Sequence, residues 1–372
     1  MKINLSPEAY EIQIGKDIGS LPGVEATRPP ASVKYSDVVI TGYRGNKLST
    51  NVWVEVKKNH TDNLGNTRVS YNGKTKKWSA SNTGPLAKFC VDVLNKSSEV
   101  KKIIAEIGIN HNGDIEQCKK MIMLSKVAGA DYVKIQKRNP DVCVPEHQKS
   151  KMRNTPWGMM TYLEYKHRLE FNEEQIKELI DYSNELGIDF FASVWDLDSV
   201  QLMAKYTTIG KIGSASINDL ELCQAARKAF KTLIISTGMS TEDEVLDCIA
   251  VCKPDVIMHT NSTYPCPVED LNLNYIHYLK ETHGNVSEIG YSGHEFGLVT
   301  TYAAVGMGAT WVERHITLDR NSWGSDQLSS IEPDGLIKLV KGIRSIEKAM
   351  KYESGPRLLF EGEKSKKDSL RK

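Results

Sequence analysis

The sequence predicts an α/β protein, a (β/α)8 TIM barrel preceded by a small β-containing amino-terminal module, and three observations carry that prediction. From residue 103 short apolar, β-branched runs alternate with helical segments; eight such runs occur; and each run is predominantly apolar, without the in–out alternation of a half-exposed strand. Strands buried on both faces read this way, and parallel strands need helical crossovers, so eight βα units indicate a closed barrel rather than an open sheet. A chain of 372 residues has room for that barrel and one further module.

Up to about residue 98 the chain is polar and punctuated, with β-like runs in "DVVITGY" and "NVWVEVKK", a tight turn expected at "NG" (72–73) and a closing helix in "GPLAKFCVDVLN". The polar, basic stretch "KSSEVKK" (96–102) reads as a hinge, dividing the chain into a module 1–98 and a barrel 99–372 with a carboxy-terminal tail. The barrel strands are expected in "IIAEIGI" (103–109), "DYVKIQ" (131–136), "DFFASVW" (189–195), "IGKIGS" (209–214), "TLIISTG" (232–238), "DVIMHTN" (255–261), "EIGYSG" (288–293) and "TWVERHI" (310–316). Between the second and third lies a helix with full punctuation. Asn172 is its N-cap, Gln175 stands three residues on, Phe171 can pack on Ile176, Leu179, Ile180 and Leu186 continue the apolar stripe, and Gly187 ends it. The long insertion 138–171 precedes that helix, and in a barrel a βα insertion lies over the catalytic face as a lid.

Composition excludes several classes. A formal charge of +1 gives no global field for nucleic acid or an anionic membrane. Seven cysteines at 90, 118, 143, 223, 248, 252 and 266 form no CxxC pair and read as reduced thiols of an intracellular protein. Cys248 and Cys252 have helical i, i+4 spacing but no nearby further ligands, so they are not taken as a metal site. The amino terminus lacks the order of a signal peptide, and no apolar run approaches the roughly 20 residues of a membrane span, so the expectation is a cytoplasmic protein.

A barrel gathers the carboxyl ends of its strands at one mouth. The polar residues expected there are Glu106, Asn110, His111, Lys134, Gln136, Ser193, Trp195, Lys211, Ser214, Ser236, Thr237, Asn261, Ser262, Tyr264, Ser292, His294, Glu313 and His315. Lys134 and Lys211 interrupt apolar strands, where an ammonium needs an anion. With Ser193, Ser214, Ser236 and Ser292 they could cradle phosphate and carboxylate; the competing reading pairs them with Glu106 and Glu313, and a Schiff-base lysine is a third. His294 and His315 end neighbouring strands: two neutral imidazoles there could hold one divalent cation with open positions for substrate, or each could simply be hydrogen-bonded in place. Glu106 and Asp326 could act as a base or bind hydroxyls.

The ordered set "AEIGINHNGD", "KIQK", "KIGS", "ISTGMS", "YP", "SGH", "ERHITLDR" and "IEPD" closely resembles the sialic acid synthase family, which includes legionaminic and pseudaminic acid synthases; the resemblance covers about 103–352. It implies condensation of phosphoenolpyruvate with an N-acylated amino sugar such as N-acetylmannosamine, giving a nine-carbon 2-keto sugar acid and phosphate. It further implies that His294 and His315 bind a Mn²⁺-type ion (Mg²⁺ or Co²⁺ being alternatives). Lys134, Ser193, Lys211, Ser214, Ser236, Ser262 and Ser292 would grip phosphoenolpyruvate. Glu106 would bind the sugar and move protons, while Gln136, Trp195, Tyr264 and Asp326 would contact the sugar, and the enzyme would pair as a homodimer.

The sequence departs from the family pattern in four places. Trp195 replaces a phenylalanine, Ser262 stands where some members have asparagine, and "GSDQ" replaces "GPDH", putting Gln327 in place of histidine. The sequence reaches "SKKDSLRK" where many members continue into an antifreeze-like domain with a sugar-contacting arginine, so the N-acyl group is expected to be recognised otherwise, by the "TPWGMMTYLEY" lid or the amino-terminal module. Two alternatives follow: a phosphoenolpyruvate-dependent synthase acting on a phosphorylated sugar, for which Arg138 and "KSKMR" are the available basic residues, and a sugar-binding barrel without turnover.

Overall fold

The computed structural model describes residues 101–352 and 356–371 together with the backbone of six short amino-terminal strands. Four of these, Asp37–Val39, Asn51–Glu55, Thr67–Asn72 and Lys77–Ala80, form an antiparallel sheet, and Lys2–Ile3 pairs in parallel with Glu25–Ala26. Asn72 pairs with Lys77, and the tight turn expected at Asn72-Gly73 runs into residues 73–76, which lie outside the described residues. The expected closing helix and the 98/99 boundary lie outside the described residues.

The barrel is closed and wholly parallel. Its strands are β1 (Lys102–Gly108), β2 (Tyr132–Lys137), β3 (Asp189–Val194), β4 (Ile209–Ile212), β5 (Thr232–Ser236), β6 (Val256–Thr260), β7 (Glu288–Gly293) and β8 (Trp311–His315), with β8 pairing back onto β1. The helices that follow them are α1 (Ile115–Ala128), α2 (Glu173–Leu186), α3 (Leu197–Ala204), α4 (Leu220–Ala229), α5 (Glu242–Cys252), α6 (Tyr275–His283), α7 (Val299–Gly306) and α8 (Pro333–Ala349). The fourth strand is shorter than its sequence run, because Ser214 opens a turn of 3-10 helix, Ser214–Ser216.

Side chains of a strand alternate between faces, and here both faces are buried. Outward residues such as Ile103, Ala105, Val133, Ile135 and Leu233 meet the apolar stripes of the helices in one continuous core. Inward residues Ile104, Phe191, Ile234, Val256, Met258 and Trp311 fill the barrel's lower interior. α2 forms as its sequence dictates: Asn172 accepts from Gln175 N at 2.9 Å while Asn172 N donates to Gln175 Oε1 at 3.1 Å, and Gly187 ends the helix in the left-handed region. Its buried Ile176, Leu179 and Ile180 each contribute about 1.5–3 kcal/mol of burial, far more than helix propensity supplies.

The insertion after β2 is structured. Two one-turn helices, Pro140–Cys143 and Glu146–Lys149, lead into a hairpin, Met152–Thr155 with Gly158–Thr161, and then a helix, Tyr162–Leu169, started by a Thr161/Glu164 capping box. It locks onto the loop after β8 through aromatic contacts, Tyr165 to Trp323 at 5.1 Å and Trp157 to Trp323 at 5.9 Å between ring centroids.

Candidate active site

Two residues beyond the last apolar interior position of a strand the inward face turns polar. Ile104 is followed by Glu106, Phe191 by Ser193, Ile234 by Ser236, Met258 by Thr260, and Trp311 by Glu313 and His315. Strand register sets these side by side: Glu106 lies opposite Lys134 and His315, Ser193 opposite Lys211 and Gln136, and Ser292 opposite Glu313. Of the residues expected at the mouth or at the site, all except Asn110, His111, Thr237, Asn261 and Asp326 line one cavity at this end of the barrel.

At its floor lies a network of buried charges. Lys134 Nζ is 2.5 Å from Glu106 Oε2, donates to Ser193 Oγ at 2.7 Å and lies 3.8 Å from Glu313 Oε1. Lys211 Nζ donates to Glu313 Oε1 at 2.6 Å, and Ser292 Oγ donates to the same oxygen at 3.2 Å. The lysines are therefore ion-paired with the two glutamates and at the same time face the cavity. Burial pushes Glu106 up to about 7, against the pull of Lys134, its one close ammonium. Burial also opposes ionisation of Glu313, but Lys134 and Lys211 together hold it at about 2. The difference follows from one near cation against two. Burial lowers Lys211, and Ser236 Oγ is buried without a hydrogen-bond partner, a donor open to an incoming oxyanion.

The imidazoles of His294 and His315 are 5.4 Å apart between ring centroids, with the Tyr264 ring tilted against His294 at 4.0 Å. His294 Nδ1 bonds the carbonyl of Asn261 at 2.6 Å, which leaves Nε2 free. Burial keeps both rings neutral, lowering His294 to about 3 and His315 to about 4. His315 Nδ1 is buried without a hydrogen-bond partner, 4.0 Å from the Asp326 carboxylate. Two neutral rings at this spacing, one with an orphaned nitrogen, fit a divalent cation held by two protein ligands and completed by water or substrate. Among the described residues no three His, Cys, Asp or Glu side chains form a metal cage, so a larger protein ligand set is not assembled there. Gly108, at φ +58 in a bulge of β1, admits the His315 ring: a Cβ there would lie 3.1 Å from it.

Gln136 and Trp195 are braced by a residue that the sequence reading left ambiguous. Arg138 donates to Gln136 Oε1, lies 4.5 Å over the Trp195 ring, and pairs with Glu170 at 3.0 Å. Asp326 stands beside His315 outside the cavity lining. Asn110 and His111, expected at the mouth, are packed away from it: Asn110 Nδ2 donates to Ile316 O and Ser330 Oγ, and His111 stacks on Phe171 at 4.3 Å. Gln327 is buried, taking a hydrogen bond from Thr317 Oγ1 and donating to Asn110 O at 3.2 Å, so it anchors the loop rather than facing the cavity. Glu313, read from sequence only as a counter-ion, is the hub of the charge network; its i, i+2 spacing from His315 was the available signal. Among the described residues no helix is long and apolar enough to cross a membrane.

A model described as "NeuB family" matches residues 121–354. The chain is 37% identical over 255 residues to an N-acetylneuraminate-9-phosphate synthase of Mus musculus, covering 67% of this chain and 70% of that protein. It is 35% identical over 262 residues to an N,N'-diacetyllegionaminic acid synthase of Campylobacter jejuni, covering 67% and 77%. The crystal structure of a sialic acid synthetase from Leptospira borgpetersenii, in complex with citrate, superposes with a TM-score of 0.64 at 29% identity, covering 73% of this chain and 93% of that one.

Proposed function

Since the chain belongs to the NeuB family, with sialic and legionaminic acid synthases among its relatives, we propose that it condenses phosphoenolpyruvate with the open-chain form of an N-acylated amino sugar, producing a nine-carbon 2-keto sugar acid and phosphate. The observation that carries this reading is the cavity, where two lysines and a set of serines stand against two neutral imidazoles. The first group suits an anion with phosphate and carboxylate ends, the second an aldehyde oxygen.

In this reading Lys134 and Lys211, with Ser193, Ser214, Ser236, Ser262 and Ser292, hold phosphoenolpyruvate. Its anionic groups compete with Glu106 for Lys134 and so free the Glu106 carboxyl, already poised near neutrality, to shuttle a proton. Gln136, Trp195, Tyr264 and Asp326 contact the sugar, with Arg138 bracing the first two. His294 and His315 would hold a divalent ion, Mn²⁺ by preference, which supplies Lewis-acid polarisation of the sugar carbonyl when bound. Carbon 3 of phosphoenolpyruvate then adds to the aldehyde, water adds at carbon 2, and phosphate leaves by C–O cleavage. Free thiols at the described cysteines suit a reducing cytoplasm, and a homodimer is the assembly the family resemblance implies. The N-acetylneuraminate-9-phosphate synthase relative favours a second reading of the acceptor, a 6-phosphorylated N-acetylmannosamine.

Phosphate release from phosphoenolpyruvate by chelator-stripped protein, with and without Mn²⁺, tests the proposal against N-acetylmannosamine, its 6-phosphate and diacetamido-dideoxyhexoses. Release that requires sugar and metal and is lost in His294→Ala and His315→Ala is the expected result. No release with any sugar, with phosphoenolpyruvate still bound, would leave a binding barrel in place of an enzyme.

A further inference from the structure

The motifs that carry His294 and His315 contain a second pair of charges that the proposed chemistry does not use. Arg314 precedes His315, and Glu295 follows His294. Both point outward from the barrel into the layer beneath α7, and both are closed to solvent, at 1% and 0% exposure. The Arg314 guanidinium donates from Nη1 to Glu295 Oε1 at 3.1 Å, to Thr301 Oγ1 at 2.9 Å and to the Gly297 carbonyl at 2.8 Å. Its Nη2 donates to the backbone carbonyl of Glu295 itself at 2.5 Å. The carboxylate is held in turn by Tyr291 Oη at 2.9 Å and Thr300 Oγ1 at 2.7 Å.

The path of the carboxylate dictates the residue before His294. Glu295 folds back over Gly293, where a Cβ would lie 2.4 Å from Glu295 Oε2, so only glycine fits. The chain is thus clamped on both sides of the histidine pair. One peptide from each imidazole, a forked guanidinium bonds both the side chain and the main chain of the neighbouring strand's extension.

A buried ion pair adds little net stability over an apolar pair of similar volume. Its distinctive contribution is directional: an apolar pair can slide, whereas a fork bonded at four points cannot.

We infer that the buried Arg314–Glu295 pair is a positioning device that sets the separation and orientation of the His294 and His315 imidazoles from behind the barrel wall. The inference rests on the reading that these two rings serve one divalent cation.

The test uses full-length Arg314→Lys, which keeps the charge but loses the fork, and the apolar double variant Arg314→Met/Glu295→Leu, which leaves no buried charge unpaired. Each is measured for Mn²⁺ affinity by EPR, for phosphoenolpyruvate affinity, and, without metal, for the imidazole ¹³C and ¹⁵N resonances of His294 and His315. The expected result is a cooperative melt and unchanged phosphoenolpyruvate affinity, with Mn²⁺ affinity lowered about ten- to a hundredfold and both imidazole resonances displaced. Folded variants with wild-type Mn²⁺ affinity and unmoved resonances would overturn the inference. If wild-type protein itself binds no Mn²⁺, the metal reading fails and the resonances alone judge the pair: displacement upholds the positioning role, and its absence rejects it.

Discussion

Glu106 and Glu313 are two residues of one kind at one barrel mouth, separated in behaviour by the number of ammoniums beside each. The free-enzyme profile of kcat/KM against pH should therefore bend near 7. Glu106→Gln should remove that bend and lower the rate about 10²- to 10⁴-fold, checked by steady-state phosphate release between pH 5.5 and 8.5. Stability has the matching sign. A carboxyl at about 7 when folded and 4.5 when unfolded makes the native state hold more protons between those values, so its contribution is present below pH 4.5 and lost as pH rises through 7. Thermal melts should accordingly fall with rising pH more steeply for the wild type than for Glu106→Gln; parallel curves would mean Glu106 is already ionised. Lys134, Lys211 and the two histidines were legible as site candidates because a charge or imidazole inside an apolar strand is costly and needs a reason. Which anion each lysine meets was not legible, since Lys211 and Glu313 are 102 positions apart and touch only across the closed barrel.

Elements whose cause is local were readable in full. α2 carries its start, stripe and stop within 172–187, and the structure reproduces each. The insertion 138–171 was readable as an insertion and expected as a lid, but its aromatic seam was not legible, because Trp157 and Tyr165 meet Trp323, far along the chain. That seam predicts a selective defect. Trp157→Ala loses a ring contact of about 0.5–1.5 kcal/mol and the Arg168 guanidinium that stacks on it at 4.5 Å. It should raise KM for the sugar severalfold and leave KM for phosphoenolpyruvate unchanged; an equal rise in both would mean that the hairpin does not serve the sugar side.

At the scale of the whole molecule, every strand of the barrel and, among the described residues, every buried residue of its continuous core comes from 102–343. A chain beginning at residue 99 should therefore fold by itself, with a single cooperative melt by circular dichroism and metal-dependent phosphate release retained. Loss of the melt would make the amino-terminal module part of the barrel's fold. The sequence by itself determined the βα alternation, the number of strands and the residue types at their ends, because burial on both faces and helix punctuation are written within a few residues of each other. The tertiary structure alone decided the pairing of Lys211 with Glu313, the withdrawal of Asn110 and Gln327 from the cavity, and the Arg314–Glu295 clamp. Those depend on barrel closure and strand register, which bring together groups that no local pattern relates.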